Sequence, residues 1–294
     1  MTTPESGSAR LVPGDRVGLI AGSGSLPADV AAELAGGGFP PFVLILDGGP
    51  GTHVDLKSYD HDVLPLEKFA SFVPRLRQAG VTHLILAGGV SRRPRFAAIE
   101  WSLGVLSLLP RLALALARGD DALLRLLVGY AERSGFKVIG PHEIVPDLVA
   151  REGVLTRTKP SAEAKRDLDA AAAAARAIGQ LDIGQAAVAI GGRAIALEGV
   201  EGTDGMLARV RALRGHPRLA GQAGGVVVKC AKPGQELRAD LPTIGLETVV
   251  AAHAAGLAGI GIEAGRTFVL DHAEALRRAD ELGLFIVGLP RGDA

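Results

Sequence analysis

The sequence predicts an α/β protein of two domains, a Rossmann-like N-terminal domain with a parallel sheet and a C-terminal α/β domain with a mixed sheet. Its 294 residues exceed the length at which one hydrophobic core usually keeps growing, which favours two domains with a cleft between them. The first half repeats an apolar strand, a glycine turn and a helix, the order typical of parallel strands with right-handed crossovers. The second half carries glycine-centred hairpin signals, which indicate antiparallel pairs.

The elements of the first half follow from apolar runs that end in glycine. The predicted strands are residues 16–21, 42–46, 83–87 and 137–139, and the predicted helices are residues 28–35, 68–78, 104–117 and 122–134. Pro27 suits the first turn of its helix, where a missing N–H costs nothing. Asp120 and Asp121 precede the last of these helices, and an aspartate there is most simply a helix cap.

The second half is predicted to follow a polar linker that contains Pro160. The predicted organisation is a disordered tail at 1–15, an N-terminal domain at 16–150, a linker at 151–165 and a C-terminal domain at 166–294. After an alanine-rich helix through residue 178, hairpins are predicted for 187–190 with 193–197 and for 259–263 with 267–270. Asp271 and Glu274 form a capping-box-like start for a helix to Leu282, and residues 284–287 form the last strand.

Composition limits the class of protein. The 32 basic and 32 acidic residues give a formal charge of zero, which argues against nucleic acid as a partner. The single cysteine, Cys230, excludes an internal disulfide and is interpreted as a buried packing residue rather than a nucleophile. The first residues lack the pattern of a signal peptide, and the apolar run 103–117 is too short to span a bilayer. We therefore expect a cytoplasmic protein, with peripheral membrane contact left open.

Two glycine turns are candidates for binding a phosphate. The turn Gly22-Ser23-Gly24-Ser25-Leu26-Pro27 can offer backbone N–H groups and a helix N-terminus to an anion, although a plain tight turn is an equal alternative. The turn Gly88-Gly89 follows another strand of the same predicted sheet. Because ligands of doubly wound sheets bind at the carboxyl ends of the strands, the two turns together favour a nucleotide site.

Three carboxylates, Glu198, Glu201 and Asp204, lie within seven residues next to glycines. Asp204 can be a simple helix cap, but gathering three negative charges is costly without a cation, so a metal site is the rival interpretation. The sequence contains no HExxH or CxxC motif. Any metal is therefore expected to be magnesium or manganese on oxygen ligands rather than zinc.

The stretch from Lys229 to Gly245 is the most informative part of the sequence. It is a Pro/Gly-punctuated loop between an apolar strand and an apolar helix, so its charges can be held in place rather than merely solvated. Lys229, Lys232 and Arg238 are candidates for pairing with phosphates, and Asp240 for holding a metal or orienting water. The alternative is a solvated loop in which Asp240 forms a salt bridge.

The whole chain resembles the two-domain UDP-2,3-diacylglucosamine pyrophosphatases of lipid A biosynthesis. The matching segments, in order, are LIAGSGSLP, AGGVSRRP, RGDDALLR, LDIGQAAV, EGVEGTDGML, VVKCAKPGQELRADLPTIG, GIGIEAGRTFVLD and LGLFIVG. They cover about residues 16–290. The departures are mild, such as Ser23 where a glycine is common and the extra Arg93 in the VSRRP turn.

The resemblance implies hydrolysis to UMP and 2,3-diacylglucosamine 1-phosphate, with Mg²⁺ as the usual ion and Mn²⁺ as an alternative, and with water attacking the phosphorus on the sugar side. By the family's motifs, Asp240 is the first choice for the essential carboxylate and metal ligand, followed by Glu201 and Asp204. The substrate-binding residues expected on the same basis are Gly22, Ser23, Gly24, Ser25, Leu26, Pro27, Gly88, Gly89, Val90, Arg92, Asp120, Asp121, Lys229, Lys232, Arg238, Thr243 and Gly245.

Two other functions stay open from the sequence. One is a non-catalytic carrier of a nucleotide-linked lipid, and the less favoured one is a nicotinamide-dependent oxidoreductase, which the N-terminal half alone would suggest. For the pyrophosphatase we expect an apolar chamber between lobes that close around the acyl chains. We also expect peripheral contact with the inner membrane as an option, to which the leucine-rich segment 103–116 could contribute, and leave a homodimer open.

Overall fold

A computed structural model describes residues 11–47, 55–90, 120–219 and 221–292 of the chain. The chain folds into two compact units. The first unit comprises Met1–Pro146 together with Glu236–Asp240, and the second comprises Asp147–Gln235 together with Leu241–Ala294. A short segment from the second half of the sequence therefore packs with the first unit.

The first unit is organised by a five-stranded, fully parallel sheet with the strand order β3-β2-β1-β4-β5. Its strands are β1 (Val17–Ala21), β2 (Phe42–Asp47), β3 (His61–Pro65), β4 (His83–Ala87) and β5 (Lys137–Ile139). All residues of β1 and β4 are buried, because central parallel strands are covered on both faces and so carry continuous apolar runs. These runs made four of the strands predictable. The edge strand β3, which alternates between exposed and buried residues, was not predicted.

The helices of the first unit are α1 (Leu26–Gly36), α2 (Phe72–Gln78), α3 (Asp120–Arg133) and α4 (Pro141–Ile144), with 3₁₀ turns at Asp55–Ser58, Leu66–Ser71 and Pro146–Leu148. The helix predicted at 68–78 is α-helical only from Phe72 onward, because Pro74 is tolerated only in the first turn of an α-helix. In the core, Phe72 of α2 meets Tyr130 of α3 edge-on, with ring centroids 5.7 Å apart.

Some predicted segments fall outside the described residues. The helix at 104–117, the apolar run that contains it and residues 1–10 of the predicted tail belong to this group. Residues 11–15 of the tail form a turn in which the Asp15 N–H donates to the Val12 carbonyl oxygen at 3.0 Å.

The second unit is built on a six-stranded mixed sheet with the order β6-β13-β11-β9-β7-β8. Its elements are β6 (Gly153–Val154), α5 (Ala162–Gln180), β7 (Ala186–Ile190), β8 (Arg193–Leu197), α6 (Gly202–Leu213), a 3₁₀ turn (Pro217–Leu219), β9 (Val226–Lys229), β10 (Thr243–Ile244), α7 (Leu246–Ala254), β11 (Gly259–Glu263), β12 (Phe268–Val269), α8 (His272–Glu281) and β13 (Phe285–Leu289). Residues of α5 pack on one face of the sheet, and residues of α6, α7 and α8 pack on the other. The sheet is therefore buried on both sides.

The first predicted hairpin is confirmed. Strands β7 and β8 are antiparallel, and Gly191 and Gly192 between them have φ angles of 64° and 75°. Two successive positive φ angles are what a tight hairpin turn of this type requires, and glycine adopts them without strain.

The second predicted hairpin is wrong. Strand β11 lies between β9 and β13 and is parallel to both, so neither of its edges is open to a hairpin partner. The residues after the Ala264-Gly265 turn instead form β12, which pairs in parallel with β10 as a separate two-stranded sheet. A glycine turn after a strand predicts that the chain reverses there. It does not determine which strand the residues after the turn will pair with.

The predicted capping box at α8 is also wrong. Asp271 has a left-handed backbone, with φ of 48°, and its side chain makes no capping hydrogen bond. Glu274 instead pairs with Arg277 one turn later in the helix. By contrast, α5 begins with a capping serine, because Ser161 Oγ accepts a hydrogen bond from the Ala164 N–H at 3.2 Å.

Residues 151–165, predicted as a linker, contribute to the second unit's sheet. Strand β6 pairs with β13 in an antiparallel arrangement. Just beyond it, Thr156 Oγ1 accepts a hydrogen bond from the Ile286 N–H at 2.9 Å. None of the helices in the described part of the chain has the length and apolar character needed to cross a bilayer.

We predict that Phe285→Ala destabilises the protein strongly. Phe285 is 2% exposed and packs with α5 residues, so its truncation should leave a cavity and lower the free energy of unfolding by about 3–5 kcal/mol. Chemical denaturation followed by circular dichroism measures the change. The control is Val250→Ala, at a side chain 43% exposed on α7, for which we expect a change within about 0.5 kcal/mol. Equal effects of the two substitutions would contradict the packing described.

Candidate functional site

The two glycine turns of the first unit lie together at the carboxyl ends of β1 and β4. The Gly22 N–H donates to the Ala87 carbonyl oxygen at 2.8 Å, and the Ser23 N–H donates to the Gly89 carbonyl oxygen at 2.8 Å. In return, the Gly89 N–H donates to the Ser23 carbonyl oxygen at 3.0 Å. The sequence placed both turns at one sheet edge, and the structure joins them by backbone hydrogen bonds.

Glycine is required at this junction for two different reasons. A Cβ atom on Gly22 would lie 2.3 Å from the Gly89 carbonyl oxygen, so no larger residue fits without separating the turns. Gly88 has φ of +85°, and a Cβ atom there would lie 2.5 Å from the Ser23 carbonyl oxygen. Both the backbone conformation and the close approach therefore exclude side chains.

The middle of the first turn is the part predicted to bind an anion. Gly24 has φ of 96° and Ser25 has φ of −81°, an alternation that points successive N–H groups to the same side. Within the described part of the chain, the N–H groups of Gly24, Ser25 and Leu26 donate no backbone hydrogen bond. Because these groups also begin α1, the helix dipole adds positive potential there.

Other predicted residues of the first unit have different positions. Leu26 and Pro27 are buried and hold the start of α1, whereas Val90 is 59% exposed beyond the second turn. Arg92 lies outside the described residues. Asp120 and Asp121 are the first residues of α3, and the description does not extend to their side chains.

The three carboxylates predicted to form a cluster in the second unit differ in their contacts. Glu198 is 7% exposed and accepts hydrogen bonds from the Gln185 N–H at 2.8 Å and from Thr203 Oγ1 at 2.7 Å, so its role is structural. Glu201 is the N-cap residue of α6 and pairs with Arg209. Its pKa is lowered by a hydrogen bond from its own backbone and then by Arg209. Asp204 lies exposed in the first turn of α6, so it is not the N-cap.

The two predicted lysines of the loop are held by oxygen atoms of the second unit. Lys229 ends β9, and its Nζ donates to the carbonyl oxygen of Thr243 at 2.9 Å. Lys232 Nζ pairs with Asp182 Oδ1 at 2.7 Å. Thr243 begins β10, and Gly245 is the N-cap residue of α7. Both ammonium groups thus have defined positions.

Glu263 anchors the start of the loop, and this role was not predicted from the sequence. It is the last residue of β11 and is 3% exposed. Its Oε2 accepts a hydrogen bond from the Ala231 N–H at 2.9 Å, and its Oε1 lies 3.6 Å from Arg266 Nη1. A carboxylate at the end of an otherwise apolar strand, GIGIE, was the available signal, because burying a charge is costly unless it is paired.

The end of the loop, Glu236–Asp240, belongs to the first unit. Ala239 packs against that unit's core, and the N–H groups of Ala239 and Asp240 both donate to the Glu236 carbonyl oxygen at 3.0 Å. Arg238 pairs with Glu236 and Glu132. Asp240, which follows Ala239, is exposed.

The predicted metal ligands do not share one unit. Asp240 belongs to the first unit, whereas Glu201 and Asp204 belong to the second. No group of three His, Cys, Asp or Glu side chains among the described residues is arranged to hold a metal ion by itself.

Comparison with known proteins decides the family. The family model described as "LpxI N-terminal domain" matches residues 16–148, and the one described as "LpxI C-terminal domain" matches residues 151–287. The chain belongs to the LpxI family. A relative from Caulobacter vibrioides, named UDP-2,3-diacylglucosamine pyrophosphatase LpxI, is 41% identical over 280 residues, which cover 93% of this chain and 97% of the relative. The resemblance drawn from the sequence segments is confirmed, and the two LpxI domains follow one another along this chain.

We predict that Gly22→Ala destabilises the first unit, because its Cβ atom would press on the Gly89 carbonyl oxygen. The expected loss in the free energy of unfolding is about 1–3 kcal/mol, the usual cost of overpacking. Gly36→Ala in α1 is the control, since a Cβ atom there meets nothing within 4 Å. It should be neutral or stabilising. Urea denaturation compares the two variants, and an unchanged Gly22→Ala protein would contradict the described junction.

We also predict that the Cys230 thiol is unreactive in the folded protein. Burial raises its pKa to about 11, so the thiolate is scarce at mildly alkaline pH. A thiol reagent such as Ellman's reagent should label the native protein slowly and label it fully in denaturant. Rapid labelling without denaturant would show that Cys230 is accessible and activated.

Proposed function

We propose that this chain hydrolyses the pyrophosphate bond of UDP-2,3-diacylglucosamine to give UMP and 2,3-diacylglucosamine 1-phosphate, a step of lipid A biosynthesis. The observation that carries the proposal is the match of both LpxI domains, together with 41% identity to a relative that is named for this activity. The match spans nearly the whole length of both proteins, so a change of activity would have to arise from individual residues rather than from a missing domain.

The N–H groups of Gly24, Ser25 and Leu26 are proposed to bind a phosphate oxygen of the substrate. These N–H groups have no competing backbone acceptor among the described residues, and they lie at a helix N-terminus. Since this site is made of backbone groups, it binds an anion without a basic side chain. That is compatible with the protein's formal charge of zero.

Lys229 and Lys232 are proposed to neutralise the diphosphate. An ammonium group carries three N–H donors, so the pairing of Lys232 with Asp182 is compatible with a second, phosphate contact. Lys232 is only 25% exposed in its side chain, which strengthens its interaction with an anion relative to a fully solvated lysine.

Asp240 is proposed as the essential carboxylate. It is an exposed acid at the end of a segment whose backbone is fixed, which suits a group that must orient water or a cation. We propose attack by water at the phosphorus on the sugar side: the new bond joins the water oxygen to that phosphorus, and the bond to the bridging oxygen breaks. UMP leaves with the bridging oxygen, and the proton lost by water passes to a base or to solvent.

Mg²⁺, or Mn²⁺ in its place, is proposed as the cofactor. Mg²⁺ is usually held by one or two carboxylates together with waters and substrate phosphates, so the single exposed carboxylate of Asp240 fits this use without a complete protein cage. Glu201, which Arg209 engages, and Asp204 are the second choices. When bound, the ion would supply positive charge to the diphosphate oxygens.

Peripheral contact with the cytoplasmic face of the inner membrane is a further proposal. The substrate carries two acyl chains by its name, and such a lipid resides at a membrane surface. The predicted leucine-rich segment 103–116 lies outside the described residues, so the proposal rests on the substrate alone.

We predict that Asp240→Asn lowers kcat for UMP release by about 10²–10⁴-fold, the usual contribution of a catalytic acid–base or metal-binding group, while the lipid nucleotide still binds. Chromatography of UMP with Mg²⁺ and with EDTA measures turnover, and EDTA should abolish it. The control is Asp169→Asn, at an exposed aspartate on α5, which should retain normal turnover.

Two outcomes would overturn parts of the proposal. If the unaltered protein and Asp240→Asn both bind the lipid nucleotide and neither releases UMP, the protein is a carrier. If both release UMP at the same rate, the chain is a pyrophosphatase in which Asp240 is not essential.

A further inference from the structure

The guanidinium of Arg238 is held by two carboxylates of the first unit. Its Nε and Nη2 donate to Glu236 Oε1 and Oε2, each at 2.9 Å, in the two-pronged geometry that arginine and a carboxylate favour. Its Nη1 donates to Glu132 Oε1 at 2.6 Å. Glu132 lies on α3, 106 residues earlier in the chain. One side chain therefore ties the segment Glu236–Asp240 to a helix of the first unit.

The same face of α3 contributes a second charge. Arg125 and Glu132 are seven residues apart, about two helical turns, so they project on one side of α3. The pKa of Glu236 is lowered by Arg238 and, more weakly, by the charge of Arg125. The hydrogen bonds from Arg238 to Glu236 and Glu132 raise the pKa of the guanidinium. Arg125 and Glu132 on α3 thus interact with groups of opposite charge, Glu236 and Arg238, in the segment Glu236–Asp240.

Backbone packing holds the same segment from another direction. Ala239 is packed against the first unit's core. The turn at the start of α4 lies close by, because a Cβ atom on Gly140 would be 3.3 Å from the Arg238 Cα atom and 2.2 Å from His142 Cε1. The main chain that leads into Asp240 is thus confined at Arg238 and at Ala239.

We propose that Arg238 is a positioning residue that fixes Asp240 through its bridge to Glu236 and Glu132, rather than a ligand of the substrate's diphosphate. The inference rests on the proposed function, in which Asp240 is the essential carboxylate. Three of the five N–H groups of Arg238 already donate to carboxylates, and the two carboxylates balance its positive charge, which leaves only one N–H on Nη1 and one on Nη2 for a phosphate. The sequence alone suggested the phosphate-binding role, because it does not show these partners.

The phosphate-binding role and the positioning role of Arg238 predict different effects of substituting Glu132. A phosphate ligand would act without Glu132, and Arg238→Ala would then mainly raise KM. A positioning residue needs its partner, so Glu132→Ala should lower kcat although Glu132 itself is not among the proposed substrate ligands. The conservative variant Glu132→Asp should recover part of the lost turnover.

The experiment compares steady-state UMP release by Glu132→Ala, Glu132→Asp, Arg238→Ala and the double variant. We expect kcat to fall by roughly tenfold for Glu132→Ala and up to about 100-fold for Arg238→Ala, the cost of misplacing a reacting group, with KM changed less than about twofold. The double variant should be no slower than Arg238→Ala alone, because both substitutions break one network. Glu33→Ala, at an exposed acid on α1, is the matched control and should behave as the unaltered protein.

Hydrogen exchange of the full-length variants gives a second readout that does not depend on turnover. The amides of Ala239 and Asp240 should exchange faster in Glu132→Ala and Arg238→Ala than in Glu33→Ala. Normal exchange and normal kcat in Glu132→Ala, or an isolated rise in KM for Arg238→Ala, would overturn the positioning role. Absence of UMP release by the unaltered protein would instead overturn the proposed function and, with it, any role of Arg238 in turnover.

Discussion

Charged groups hold the loop from Cys230 to Asp240 at both of its ends, its start within the second unit and its end within the first. At its start, the buried carboxylate of Glu263 accepts the Ala231 N–H. At its end, Arg238 bridges Glu236 and Glu132. Loss of one partner leaves the other charge without its counter-charge, which is most costly where the remaining group is buried, as Glu263 is. These anchors hold the loop without needing to touch a substrate themselves.

The glycine turns of the first unit illustrate the same division between support and function. Gly22 and Gly88 allow two backbones to approach more closely than any side chain would permit. That approach uses the N–H groups of Gly22 and Ser23 in internal hydrogen bonds, whereas those of Gly24 to Leu26 donate no backbone hydrogen bond among the described residues. The anion site proposed for these N–H groups needs no local excess of positive charge, in keeping with the protein's balanced composition.

Local signals in the sequence predicted much of the fold, and long-range contacts account for what they missed. Strands β4 and β5 have the predicted bounds. Strand β4 is buried along its whole length, as expected for a central parallel strand. The Ala264-Gly265 turn misled the prediction, since strand pairing depends on which sheet edges are already occupied. Glu263 accepts a hydrogen bond from Ala231, 32 positions away, and Glu132 accepts one from Arg238, 106 positions away. A local sequence pattern does not reveal contacts between residues so far apart. The segments shared with the LpxI family identified the protein where spacing alone left alternatives open.

We propose that this chain hydrolyses UDP-2,3-diacylglucosamine by attack of water at the phosphorus on the sugar side. The most direct test is turnover in water enriched in the heavy oxygen isotope, followed by mass spectrometry of both products after a single turnover. We expect one heavy oxygen in 2,3-diacylglucosamine 1-phosphate and none in UMP. Heavy oxygen in UMP would contradict the proposed direction of attack. The absence of both products would contradict the proposed hydrolysis of UDP-2,3-diacylglucosamine.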